Sequence, residues 1–249
     1  MTLRDYFAAS KQPRYSLLFA LPLLLLYEGL SALLTHSAVA GVRNGADVLL
    51  KTVFLSLGGR TGLLIFGVLF LGVGGWLVWK DHRRRREPLD RRIFGGMLLE
   101  SLILAALFGQ TVALLTSWLL GGGPTLAVVA SDAQGPVATL PMGTQLVVSL
   151  GAGIYEELLF RVLLVSGLLA LGLRLGWERR VAVGVALVVS ALVFSAFHYI
   201  GPYGDQLVIS SFTFRAIAGL LLSGLYVTRG FGITAWTHAL YDVGLALVT

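Results

Sequence analysis

The sequence has no cysteine and little charge. The absence of cysteine among its 249 residues excludes disulfide bonds, thiolate metal ligands and a cysteine nucleophile. Charged residues make up 13% of the chain, about half of their usual share in soluble domains, whereas 56% of the residues are hydrophobic. Because the apolar residues come in runs of roughly 20, the length that crosses a bilayer, we predict an all-α, polytopic transmembrane helical bundle.

Long apolar segments divide the chain into successive candidate spans. They cover residues 16–40, 61–79, 93–120, 143–173, 181–199, 207–227 and 231–248. The shorter apolar segment 45–58 contains Asp47 and Lys51, and it is either an interfacial helix or an eighth span. We therefore predict seven or eight spans in one membrane-embedded domain, with N-terminal helices in residues 1–142 and a C-terminal core in residues 143–249.

The first apolar run has two possible interpretations. Residues 38–40, Ala-Val-Ala, resemble a signal-peptide cleavage site. The run that begins at Ser16 is longer than a typical signal-peptide core, however, and Tyr27 and Glu28 interrupt it. We interpret it as a retained first span.

Basic residues concentrate in connections that fall on one side of a seven-span arrangement. The largest cluster lies at 80–92, and smaller ones lie around Arg14, at 174–180 and at 228–230. Positive charge in short loops marks the cytoplasmic side, which predicts a cytoplasmic N-terminus in a multi-pass protein of a prokaryotic inner membrane. The same reason makes the basic run at 80–92 a topology signal, so we expect the lipid bilayer and no nucleic acid as a partner.

Ionisable residues lie inside the C-terminal spans, where each costs roughly 2.5–3.5 kcal/mol to insert. They are Glu156, Glu157, Arg161, His198, Arg215, His238 and Asp242. Residues four apart share a helix face, so Glu157 can pair with Arg161, and Asp242 can hold one imidazole nitrogen of His238. Glu156 lies about 100° around the helix from Glu157 and lacks this partner. Arg215 is expected to be a counter-charge to an acid in the same cavity.

Glu156, His198 and His238 belong to three different spans. If those spans pack together, one carboxylate and two imidazoles converge. A carboxylate in a low-dielectric site can act as a base toward water, and an imidazole can share that water or donate to a developing oxyanion. The predicted chemistry is hydrolysis.

Three segments of the C-terminal half match motifs of a known family. The segments Glu-Glu-Leu-Leu-Phe-Arg (156–161), Phe-Ser-Ala-Phe-His (194–198) and His-Ala-Leu-Tyr-Asp (238–242) resemble the motifs E-E-x-x-x-R, F-x-x-x-H and H-x-x-x-N/D. These belong to the CPBP (Abi) family of intramembrane proteases, which includes the CAAX prenyl endopeptidases. Each motif alone recurs by chance, but three in order on separate apolar segments are specific. The resemblance covers residues 143–249.

The resemblance implies an intramembrane endopeptidase whose catalytic residues would be Glu156, His198, His238 and Asp242. Glu156 would be the general base and His198 would help to hold the water, whereas His238 and the residue at 242 would stabilise the oxyanion. The supporting residues would be Glu157, Arg161 and Phe194. CAAX endopeptidases have asparagine where this chain has Asp242, and an ionised aspartate cannot donate a hydrogen bond. Asp242 is therefore expected to orient His238 or to stay protonated.

A zinc site is the alternative interpretation of the same residues. Two histidines and a glutamate could bind zinc, but the sequence contains no H-E-x-x-H motif. The resemblance implies a glutamate-type mechanism without metal, so we expect no cofactor.

Other functions and other protease classes are alternatives. The same fold could be a catalytically inactive membrane scaffold or immunity protein, or a small transporter, although no inverted repeat is visible. The G-x-S-G motif of rhomboid-type proteases is absent, and no G-x-G-D motif follows Tyr241 and Asp242. The expected substrate is a membrane-anchored or exported peptide or protein, because the His198 end of its span falls near the outer face.

Overall fold

In a computed structural model, residues 2–34, 43–121, 135–201 and 204–248 are described, and in these ranges the chain forms helices and no β-strand. The helices are α1 (Leu3–Ser10), α2 (Pro13–Leu34), α3 (Gly45–Arg85), α4 (Arg91–Leu119), α5 (Met142–Gly151), a π-helical segment (Ala152–Val165), α6 (Ser166–Arg174), α7 (Arg179–Phe197), α8 (Ile209–Arg229) and α9 (Phe231–Val248), with a short 3₁₀ turn at Gly135–Thr139. Within the described ranges α2, α3, α4, α7 and α8 are long and apolar enough to cross a membrane. The prediction of an integral, all-α membrane bundle is confirmed.

Helix α3 reverses direction at two glycines. Gly58 (φ −156°, ψ 19°) and Gly59 (φ 57°, ψ −139°) have non-helical backbone angles, and the positive φ of Gly59 is a conformation that glycine adopts without strain. A side chain on Gly62 would overlap the carbonyl oxygen of Phe54, although residues eight apart in a straight helix are separated by about 12 Å. The two limbs of α3 therefore fold back on each other.

The reversal decides between seven and eight spans. Arg14, at the start of α2, donates to the carbonyl oxygen of Glu87 at 2.8 Å, just after the end of α3. The start of α2 and the end of α3 thus lie at the same end of the bundle. Since α2 crosses once and the second limb of α3 crosses back, the first limb, residues 45–57, does not cross. Within the described residues the arrangement has seven spans when the helical stretch from Met142 to Arg174 and α9 are counted as crossings.

The basic segments lie together at this end, which we call the basic end. Arg229, the last residue of α8, bonds to Glu100 at 2.6 Å and to the hydroxyl of Ser10 at 3.0 Å. Helix α7 runs antiparallel to α8, because Ser195 near its end donates to the carbonyl of Phe212 near the start of α8. The start of α7 therefore also lies at the basic end, as the grouping of the basic loops in the sequence predicts.

Helix α9 lies at the centre of the bundle. It packs against α2, α4, α5, the π-helical segment and α8, and its small residues allow close contact. A side chain on Gly153 would collide with the carbonyl oxygen of Ala235 and the Cβ of Ala239, so the absence of a side chain at this position permits the close helix approach. Large apolar residues such as Leu64 and Leu99 on the outer helices are exposed, as a lipid-facing surface requires. The candidate cleavage site at 38–40 lies outside the described residues.

Candidate active site

The π-helical segment carries the first motif. Its i→i+5 hydrogen bonding widens the helix, and such distortions are frequent at functional sites. A wider turn reduces the rotation about the helix axis from one residue to the next. Glu156 and Glu157 can therefore both point into the bundle, and 7% and 0% of their surfaces are exposed.

Glu157 lies between two basic side chains. Its Oε1 is 3.1 Å from Nη1 of Arg161, which is the pair that the spacing predicts, and 2.6 Å from Nδ1 of His238 on α9. Arg161 is also fully buried, and its Nη2 donates to the carbonyl of Gly219 at 3.4 Å. Glu157 therefore connects the first motif to the third.

His238 has a carboxylate near each ring nitrogen. Nδ1 is held by Glu157 at 2.6 Å, whereas Nε2 is 3.5 Å from Oδ2 of Asp242. The predicted contact with Asp242 is present but long, and the shorter contact is with Glu157. Sequence spacing could not reveal it, because Glu157 and His238 are 81 residues apart and meet only through packing.

His198, at the C-terminal end of α7, faces Glu156. Its Nδ1–H donates to the carbonyl oxygen of Phe194 at 2.9 Å, so Nε2 is directed toward Oε2 of Glu156, 4.0 Å away. That oxygen is buried and has no hydrogen-bond partner among the described residues. The ring of Phe194 packs against the imidazole of His198 at 4.8 Å and under the guanidinium of Arg161 at 4.4 Å, which gives the predicted supporting residue a place in the structure.

The other carboxylate oxygen of Glu156 has a partner that the sequence did not suggest. Oε1 accepts a hydrogen bond from Nδ2 of Asn44 at 2.7 Å. Asn44 is the N-cap of α3, and in the sequence it is only an asparagine before an apolar run. No signal in the sequence connects it to residues more than 100 positions later.

These residues line one cavity of about 580 Å³ in the half of the bundle away from the basic end. Glu156, His198, His238 and Asp242 contribute to its polar part, and the lining also includes apolar side chains of α3, α4, α8 and α9. Arg215, which also lines the cavity, pairs with Asp205, so the predicted counter-charge is present. The cavity therefore joins a polar wall to an apolar one.

The donor geometry bears on metal binding. In the described part of the chain, no three His, Cys, Asp or Glu side chains are arranged to hold a metal ion. Both nitrogens of His238 face carboxylates, and Nδ1 of His198 is bound to a carbonyl. Nε2 of His198 and Oε2 of Glu156 face each other across 4.0 Å.

Comparison with known families gives one match. Residues 138–244 match the family model described as type II CAAX prenyl endopeptidase Rce1-like. The match includes every one of the predicted site residues and begins well after Asn44. Neither the curated proteins nor the solved structures include a significant match to the chain.

Proposed function

We propose that this integral membrane protein is an intramembrane endopeptidase that hydrolyses a peptide bond in a membrane-anchored or exported substrate. The match of residues 138–244 to the type II CAAX prenyl endopeptidase family supports this proposal. The observation that carries the proposal is the 4.0 Å gap between Oε2 of Glu156 and Nε2 of His198. The gap is too long for a direct hydrogen bond and has the length that one bridging water would fill. Both atoms can accept a hydrogen bond from such a water.

Glu156 is the general base in this proposal. The water oxygen forms a bond to the carbonyl carbon of the substrate while Glu156 takes one of its protons. Glu156 then passes the proton to the amine nitrogen as the C–N bond breaks, so that the carboxylate is regenerated. His198 orients the water through Nε2, because its Nδ1 is occupied by the carbonyl of Phe194.

His238 stabilises the oxyanion in this proposal. When both of its nitrogens carry protons, Nδ1–H donates to Glu157, and Nε2–H is available to the cavity. Asp242, at 3.5 Å from Nε2, is distant enough for a developing oxyanion to receive that hydrogen bond instead. Asp242 thus orients the imidazolium of His238 and compensates its positive charge. Arg161 compensates the negative charge of Glu157.

The activity is testable with purified protein in lipid vesicles and a fluorogenic peptide anchored by a lipid or a single span. We expect cleavage by the wild-type chain and a loss of about 100-fold in His198→Ala, since the water is then no longer oriented and a misplaced reacting group costs about this much. His82→Ala, an exposed histidine at the basic end, is the matched control and should cleave normally.

A chelator arm of the same assay tests whether a metal takes part. The proposed water activation needs only Glu156 and His198, so cleavage should persist in EDTA and in 1,10-phenanthroline. Inactivation by chelator with recovery on adding zinc would contradict the metal-free mechanism.

Equal cleavage by the wild type and His198→Ala would contradict the assignment of His198 to the active site. No cleavage of any anchored peptide would favour the inactive scaffold.

We also infer that the basic end faces the cytoplasm of a prokaryotic cell, which places the mouth of the cavity toward the outer face. Because the chain has no cysteine, a single introduced thiol reports its own position. In intact cells a membrane-impermeant maleimide should label Ile200→Cys, at the His198 end of α7, and should leave His82→Cys unlabelled until lysis. The reverse pattern would contradict this orientation.

A further inference from the structure

Asn44 contacts Glu156 from outside the family match. Its Nδ2 donates to Oε1 of Glu156 at 2.7 Å, and its Oδ1 accepts from the backbone N–H of Ala46 at 2.9 Å. Only the amide oxygen can accept the hydrogen bond that caps the helix. The amide nitrogen of Asn44 is therefore the end that donates to the carboxylate of Glu156. Asn44 is 2% exposed, so the contact is made away from bulk solvent.

A charge network fixes the backbone on both sides of Asn44. Arg43 contacts Oδ2 of Asp47 at 2.5 Å and Oε2 of Glu28 at 2.7 Å. Lys51 contacts the same two acids at 2.7 and 3.1 Å. Two cations and two carboxylates compensate each other, so the network holds the start of α3 on α2 without leaving a buried charge unpaired.

Two tyrosines connect this network to the π-helical segment. Tyr27 on α2 donates to Asp47 at 2.7 Å, and Tyr155, the residue before Glu156, donates to Glu28 at 2.6 Å. Gly151 supplies the space, because a side chain there would collide with Asn44 and Tyr27. The start of α3 and the backbone that carries Glu156 are therefore held by the same set of contacts.

From these contacts we propose that Asn44 is a positioning residue for Glu156. Its amide holds Oε1, so that the second oxygen, Oε2, remains free of protein partners and directed at His198. The proposal rests on the proposed function, because it assigns Asn44 a part in the orientation of the general base. It also means that the region matched by the family model does not by itself contain the whole site: residues 43–47 complete it.

The substitution Asn44→Asp separates this role from helix capping. Aspartate has the same shape as asparagine and caps a helix equally well, but when ionised it can only accept hydrogen bonds. It therefore keeps the cap on Ala46 and replaces the donor to Glu156 by a second carboxylate. If Asn44 only capped α3, the folded fraction of this variant would keep the wild-type kcat.

We expect Asn44→Asp to lower kcat by about 100-fold near neutral pH, the effect of a misplaced catalytic group, with KM within about threefold of the wild-type value. Activity should recover in part toward lower pH, because two facing carboxylates can share one proton and the protonated one donates again. Asp90→Asn is the matched control: Asp90 is the N-cap of α4 at the basic end, and the reverse exchange there should leave cleavage and its pH profile unchanged.

The result that would overturn the proposal is wild-type kcat in Asn44→Asp, or a loss that matches a loss of folded protein at every pH. If Asn44→Asp does not fold, Asn44→Ser decides, because serine keeps a cap but is too short to replace the amide; full activity in that variant overturns the proposal, and the same loss of kcat supports it. Failure of the wild-type protein to cleave would instead count against the proposed function, so the two failures are distinguishable.

Discussion

Glu156→Gln is expected to abolish peptide cleavage while the protein still folds. Glutamine has the shape of glutamate and can still accept the hydrogen bond from Asn44, but it cannot take a proton from water. We expect kcat to fall by about 10²–10⁴-fold, the range for loss of a general base. The measurement is cleavage of the anchored peptide in vesicles, together with the thermal unfolding of the purified variant.

Glu100→Gln is the matched control for this variant. Glu100 is another glutamate in a span, but it pairs with Arg229 at the basic end, with Oε1 to Nε at 2.6 Å, and it does not line the cavity. Its replacement should lower stability and preserve kcat. Comparable activity in Glu156→Gln and the wild type would eliminate Glu156 as the base, whatever Glu100→Gln does.

Arg161→Met is expected to destabilise the protein by about 3–5 kcal/mol, the cost of removing one partner of a buried ion pair. Both Arg161 and Glu157 are fully buried, with Nη1 to Oε1 at 3.1 Å, so the substitution leaves Glu157 with His238 alone. It also removes the guanidinium that lies over the ring of Phe194. The measurement is the unfolding midpoint in detergent, and in vesicles the loss of folded protein should lower activity as well.

The double variant Glu157→Gln/Arg161→Met tests the cause of this loss. It removes both charges, so no unpaired ion remains in the core, and it should recover a substantial part of the stability even though it carries one more substitution. If Glu157→Gln destabilises Arg161→Met by as much as it destabilises the wild type, the two residues act independently. That result would contradict a buried pair.

The span pattern and the placement of the motifs were predictable because they depend on local chemistry. Apolar runs long enough to cross a bilayer cannot expose their backbone polar groups to lipid and must form helices. Counting the crossings between the basic segments then places those segments at one end of the bundle. The Glu157–Arg161 pair also followed from spacing, because residues four apart on a helix are neighbours. The segment at 45–58 was ambiguous, and the reversal at Gly58 and Gly59 became interpretable only with the contact between Arg14 and Glu87.

The partners of the candidate catalytic residues were not predictable in the same way. The contact of Glu157 with His238 joins residues 81 positions apart, and that of Asn44 with Glu156 joins residues 112 positions apart. Spacing along one helix indicated Asp242 as the partner of His238, because it could compare only residues of the same helix. The sequence by itself determined that buried carboxylates and imidazoles occupy the C-terminal spans. Which oxygen of Glu156 is held and which faces His198 was decided by tertiary packing, since hydrogen bonds between helices depend on how those helices cross.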